Sequence, residues 1–185
     1  ITTDQGPFTG SITLPLGRDQ TTPVAFEDAE HGASDWTATG AWHRTNNRAS
    51  SPTRSWYFGR ENAPGLADNA YEDGSTGDLT SPEFNLAIAS AAQLVFNHFL
   101  AREAGFDFAT VLASNDGFAT SAVLSTVDAS LDPTFREVRL DLSAFAGSPT
   151  VQVRFRFSAD ASVIAEGWYV DDIRVLATGV GCGGG

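Results

Sequence analysis

Five carboxylates stand where a hard cation could use them. Glu27 and Asp28 close an apolar stretch near the start of the chain, Asp78 lies midway, and Asp171-Asp172 interrupts the last apolar stretch. Calcium takes about six to eight oxygen ligands, mostly carboxylates and carbonyls. If the first and last strands of an antiparallel sheet are neighbours, Glu27/Asp28 and Asp171/Asp172 converge. Successive strand side chains point to opposite faces, so one of Asp171 and Asp172 faces the core unless a bulge intervenes. A buried carboxylate needs a partner, and a cation is an efficient one. The competing reading assigns these residues to turn caps and arginine pairs. Asn69-Ala-Tyr-Glu-Asp-Gly74 is not an EF-hand loop, because its alternate positions carry the wrong residues.

A second group suits recognition of a surface. Trp56-Tyr57 and Trp168-Tyr169 are adjacent pairs, so in a strand one ring of each points outward. Arg154 and Arg156 alternate with Val153, Phe155 and Phe157 and share an outer face. Trp56, Tyr57, Arg154, Arg156 and Trp168 are therefore candidates for binding a protein or glycan surface, the rings stacking on sugar C–H faces and the polar groups fixing hydroxyls. Against this, most tryptophans serve in core or edge packing.

No catalytic residue is assigned. The three histidines, His31, His43 and His98, are far apart, there is no His-Glu-x-x-His, and Cys182 is isolated, so zinc chemistry lacks its ligands. There is no Gly-x-Ser-x-Gly elbow. A closely spaced Glu-x-Asp-x-x-Glu strand, as sandwich glycosidases carry, is also missing.

The elements that must position these residues are strands. Val151–Phe157 and Glu137–Leu142 alternate apolar and polar residues, and Leu94–Leu100 is apolar on both faces, as in a strand covered twice. Phe108–Ala113 runs into an Asn115-Asp-Gly117 turn, and Tyr169–Leu176 forms a last strand with a bulge at Asp171-Asp172. Ser11–Leu14, Val24–Phe26, Trp42–Thr45, Ser55–Phe58 and Glu83–Ile88 read as further short strands, and residues 59–80 as loop. Many short strands without a βαβ rhythm describe an all-β sandwich of two antiparallel sheets. The chain divides into residues 1–20 as an N-terminal edge strand or linker, 21–178 as the sandwich, and 179–185 as a Gly-rich tail holding Cys182. That tail suits a linker remnant or an intermolecular attachment point.

The chain carries 23 acidic and 11 basic residues, a net charge of -12, and every basic residue is Arg. Such a field repels phosphate backbones, which argues against nucleic acid as a partner. No apolar run reaches the roughly 18 residues of a membrane span. The chain starts at Ile1 and contains no Met, which we read as a processed form or an excised piece.

In order, Phe26-Glu-Asp28, Trp36, Trp42-His-Arg-Thr45, Ser55-Trp-Tyr-Phe-Gly59, Gly77-Asp-Leu-Thr-Ser-Pro82, Leu94-Val-Phe-Asn-His98, Leu140-Asp-Leu-Ser-Ala-Phe145 and Gly167-Trp-Tyr-Val-Asp-Asp-Ile173 make a pattern. Over roughly residues 24–176 it resembles the MAM-like and cleaved-adhesin-like jelly rolls of secreted bacterial proteins, such as accessory domains of immune-inhibitor-A-type and fungalysin-type metallopeptidases. It departs from animal MAM domains in lacking cysteine pairs. The resemblance implies a concanavalin-A-like jelly roll, secreted or at the cell surface, non-catalytic and stabilised by calcium. The partner expected is a protein or glycan surface, with a secreted peptidase as a neighbouring domain. The alternatives are a carbohydrate-binding module of a secreted enzyme and a structural subunit of a surface assembly.

Overall fold

A computed structural model describes residues 21–31, 35–61, 69–128 and 134–179. Eleven strands dominate it: β1 Thr22–Glu27, β2 Thr37–Ala38, β3 Trp42–Thr45, β4 Ser55–Phe58, β5 Thr76–Thr80, β6 Ala91–Ala101, β7 Phe108–Ser114, β8 Ala122–Val127, β9 Arg136–Asp141, β10 Gln152–Ser158 and β11 Gly167–Thr178. A single 3-10 turn at Ser143–Phe145 is the one helical element among the described residues.

The strands form two antiparallel sheets. One runs β3-β4-β11-β6-β9, with β1 also paired to β11; the other runs β2-β5-β10-β7-β8. Long β11 takes β4 along its first half and β1 along its second, with β6 on its other edge. The inward positions obey the two-residue period. Val153, Phe155 and Phe157 of β10 meet Leu94, Phe96 and Leu100 of β6 and Trp168, Val170 and Ile173 of β11 in one core.

A bulge in β11 decides which side chains its carboxylates oppose. The register to β6 shifts between Asp171 and Arg174, and Asp172 has φ 50°, in the left-handed region. The extra residue keeps Val170 and Ile173 both inside while Asp171 goes to the outer face. Without it, strict alternation from Trp168 and Val170 would turn Asp172, in place of Ile173, in among Phe and Trp side chains.

The structure corrects the sequence reading at several elements. Residues 76–80, expected as loop, form β5, which pairs with β10 from Thr76↔Ser158 to Thr80↔Arg154. Residues 83–88, expected as a strand, contribute only a bridge between Phe84 and Val151. β2 and β8 had no sequence counterpart. The Ser11–Leu14 strand and the Cys182 tail lie outside the described residues.

Close backbone approach explains why β5 contains a glycine. A Cβ on Gly77 would stand 2.4 Å from the Thr39 carbonyl oxygen and 2.9 Å from the Phe58 ring. Only glycine lets the β2–β3 turn sit this tightly on β5.

Candidate binding face and cation cluster

β1 pairs with β11 so that Glu27 stands opposite Ile173, which brings Glu27/Asp28 beside the Asp171-Asp172 bulge. Asp78 does not join them; it lies on β5 in the other sheet. These carboxylates are engaged with hydrogen-bond donors, and no three of them bring an oxygen within 4.8 Å of one another. Glu27 Oε1 accepts from the Ala29 amide at 2.9 Å and the Trp56 indole N–H at 3.3 Å. Asp28 Oδ1 accepts from the Glu30 amide at 3.0 Å. Asp171, buried, takes the Ser50 and Ser51 amides on Oδ2 at 2.7 and 2.9 Å and the Asp172 amide on Oδ1 at 2.8 Å. Asp172 Oδ2 accepts from the Asn97 side-chain amide at 2.8 Å. Burial pushes the Asp171 carboxyl above its ordinary value, and the two serine amides pull it back.

These bonds fasten the β3–β4 connection, residues 46–54, over the outer face of the six-stranded sheet. Beneath it Tyr57 and Tyr169 stack at 4.2 Å between centroids, with Phe99 beside them. The Arg48 guanidinium covers the Phe99 ring at 4.3 Å and binds Glu166 through Nε and Nη2. The Tyr57 hydroxyl donates to the Glu166 carbonyl at 2.6 Å. Outward rings thus exist, as alternation requires, but loop residues bury them. Trp56 and Trp168 point the other way, into the core, at 6% and 0% exposure. None of Trp56, Tyr57 and Trp168 presents a ring to a ligand at the surface.

The outer face of the five-stranded sheet is different. Register places Thr37, Thr80, Arg154, Leu112 and Val123 in one row across it, and Asp78, Arg156, Thr110 and Thr126 in the next. Arg156 grips Asp78 with Nε and Nη2 at 2.7 and 2.8 Å. Arg154 donates through Nε to Thr80 Oγ1 at 2.9 Å, and its Nη1 is 3.4 Å from Asp78 Oδ2. Phe118, from the β7–β8 turn, lays its ring against the Arg154 guanidinium at 3.7 Å. Its φ of 66° is unusual for a bulky residue, and the Ser114–Thr120 turn holds it through bonds to Asp116 and Ser114. Those bonds depress the Asp116 carboxyl to about 2. On this face Thr37, Val123, Thr126 and Arg156 are exposed, whereas Thr80 and Leu112 are buried.

A second acidic cluster, absent from the sequence reading, lies where the β6–β7 turn meets the β10–β11 connection. Glu103, Asp107 and Asp160 each offer an oxygen within 4.8 Å of the others. Asp107 is fully buried. It accepts from the Asp160 amide at 2.9 Å, the Glu103 amide at 3.2 Å and the Tyr71 hydroxyl. Glu103 Oε2 is buried with no hydrogen-bond partner. Burial, reinforced by Asp160, Asp107 and Asp73, raises the Glu103 carboxyl above its usual range. An all-oxygen set with an unpartnered carboxylate oxygen fits a hard divalent cation, so this group could hold a metal ion.

No family model matches the chain, and no curated protein matches it. Solved structures do. The K1 cleaved adhesin domain of Lys-gingipain from Porphyromonas gingivalis W83 superposes with a TM-score of 0.59 at 15% identity, over 83% of this chain and 97% of that one. TmCBM61, solved with β-1,4-galactotriose, gives 0.54 at 11% identity over 78% and 89%. The Endo-D glycoside hydrolase domain of Streptococcus pneumoniae R6 gives 0.51 at 12% identity, over 77% of this chain and 21% of that one. At these identities the likeness establishes the fold: the chain is an antiparallel two-sheet jelly-roll sandwich of the kind found in cleaved adhesins and carbohydrate-binding modules.

Proposed function

We propose that the chain is a non-catalytic binding domain of a secreted or surface protein, and that its ligand face is the outer face of the five-stranded sheet. The observation that carries this reading is the difference in cover: residues 46–54 fasten over the aromatic outer face of one sheet, whereas the other displays Thr37, Asp78, Arg154, Arg156 and Thr126. Structural neighbours that include a cleaved adhesin domain and a galactotriose-bound module support a glycan or protein surface as the partner. Attachment to a secreted peptidase is compatible with such a module. No described helix is long and apolar enough to cross a membrane.

In this reading calcium is structural and sits at Glu103, Asp107 and Asp160, tying the β6–β7 turn to the β10–β11 connection. The alternative seat is the Glu27, Asp28, Asp171 and Asp172 group, which the β1–β11 pairing makes neighbours in one region of the sheet. Asp78 serves as an arginine clamp in either case.

One preparation tests both parts. The purified domain is screened on a glycan and extracellular-protein array, and its melting is followed in calcium, magnesium and chelator. Retention on the array that Arg156→Ala weakens at least tenfold, without a fall in Tm, is expected. A calcium-specific rise in Tm should vanish in Glu103→Gln and survive in Asp172→Asn. The reverse pattern moves the ion to the β1–β11 seat, and no shift removes calcium. Retention unaffected by Arg156→Ala, or turnover of a glycosidic substrate, sinks the binding-face proposal.

A further inference from the structure

The charge on the open face runs against that of the molecule. Side chains that β2, β5, β10, β7 and β8 direct outward include only three charged ones: Asp78, Arg154 and Arg156. The chain as a whole has net charge -12, yet this face holds two guanidiniums against a single carboxylate. Arg156 is the more open of the pair, with 45% of its side chain exposed. Its bonds to Asp78 use Nε and Nη2, which leaves the Nη1 donors directed elsewhere. Arg154 is more buried, at 22%; burial lowers its guanidinium's value, so its charge is held without full hydration.

Building on the proposed binding face, we infer that its ligand is a carboxylated oligosaccharide, with a uronate-type carboxylate seated between Arg154 and Arg156. Guanidinium forks are matched to carboxylates, and a second carboxylate beside Arg156 would complete the charge balance that Asp78 leaves at one short. The surroundings fit a sugar. Thr37, Thr80, Thr110 and Thr126 lie in the rows around the arginines, within a regular sheet whose neighbouring strands are about 4.8 Å apart. Phe118 at the rim offers an apolar ring for sugar C–H groups. An extended peptide finds less here. Strands β5, β10 and β7 are paired on both edges, so their backbones have no open ladder for an added strand.

The test compares trigalacturonate with neutral galactotriose by titration calorimetry on the intact chain, at low and physiological salt. Trigalacturonate is expected to bind at least tenfold more tightly, with affinity falling as salt rises. Arg156→Gln and Arg154→Gln should each lose at least tenfold for the uronate and little for the neutral sugar, with Arg156→Lys recovering part of the loss. Asp78→Asn should bind the uronate more tightly, because it removes the competing carboxylate; a merely structural Asp78 would not give that gain. Equal affinity for both sugars, equal binding of a hexaglutamate peptide, or indifference to Arg156→Gln overturns the inference. Neutral-sugar binding that Arg156→Ala still abolishes leaves the proposed face standing. Absence of any glycan or protein ligand removes both.

Discussion

The outer faces of the two sheets solve opposite problems. On the six-stranded sheet, alternation directs Tyr57, Tyr169 and Phe99 outward, where their apolar area would meet water. The chain answers with a nine-residue connection between β3 and β4, laid across those rings and fastened by Asp171, Arg48 and Asn97. On the five-stranded sheet the outward residues are mostly threonines, one aspartate and two arginines, which water tolerates; of the apolar ones Leu112 is buried and Val123 stays exposed. An acidic side chain has a different task on each side. Asp171 is buried and satisfies backbone donors; Asp78 is partly exposed and orients arginines. Identical chemistry fastens a loop on one face and holds two arginines on the other, decided by burial.

The comparison breaks most directly at Asp171. Asp171→Ala leaves the Ser50, Ser51 and Asp172 amides without their acceptor beneath the loop. At about 1–3 kcal/mol for each buried donor left unpaired, partly relieved by water, the expected loss is about 3–4 kcal/mol in urea unfolding. Quenching of Tyr57 and Tyr169 fluorescence by acrylamide should increase in the folded variant. A loss under about 1 kcal/mol would mean that packing, not this carboxylate, holds the cover.

Acid stability asks whether pH acts on either face or on the core between them. His98 of β6 is 1% exposed, and its Nδ1 has no partner. Burial and the nearby Arg136 charge lower it to about 4. It lines a cavity of about 260 Å³ with Ser125, Asp128, Arg136 and Glu137, at the seam between β8 and β9. The unfolded chain binds its proton near pH 6.5 and the folded one only near 4, so stability is full above 6.5 and falls as pH drops toward 4. The integrated loss is at most about 3 kcal/mol. His98→Leu should flatten this part of the profile in wild-type-minus-variant urea titrations. An unchanged slope between pH 6.5 and 4 would exclude His98 as its source.

The legible parts of the molecule were those with a local period. β10 and β6 announce themselves by alternation or by apolar residues on both faces, and Asp171-Asp172 announces a bulge because two acids in a row cannot obey the period of two. β5 was hidden by Gly77 and Asp78, residues that read as loop although the glycine is there for a close backbone approach. The cover over Tyr57 was illegible because Asp171 acts on backbone amides 120 and 121 residues away, which carry no side-chain signature. The Glu103, Asp107 and Asp160 cluster joins positions 53 residues apart. Its one local sign was an acid set between two aromatics, Phe106-Asp107-Phe108, where the acid is buried and both rings are exposed. Arg154 and Arg156 were readable as outward residues, whereas the burial of Trp56, Tyr57 and Trp168 depended on the sheet pairing and the loop.

The smallest effect is expected at Asp78, and its smallness is informative. The carboxylate bridges two guanidiniums, but Arg156 is nearly half exposed, and Asp78 and Arg154 each keep 22% of their side chains in contact with water. Surface ion pairs contribute about 0–1 kcal/mol, because water and salt take over much of the interaction. Asp78→Asn should therefore cost no more than about 1 kcal/mol in urea, less at high salt, with m unchanged. Compared with Asp171→Ala in the same buffer, the ratio measures how far each acid serves the fold. If Asp78→Asn instead cost about 3 kcal/mol, the arginine ladder would be part of the scaffold, and the five-stranded face would be less free to exchange Asp78 for a ligand carboxylate.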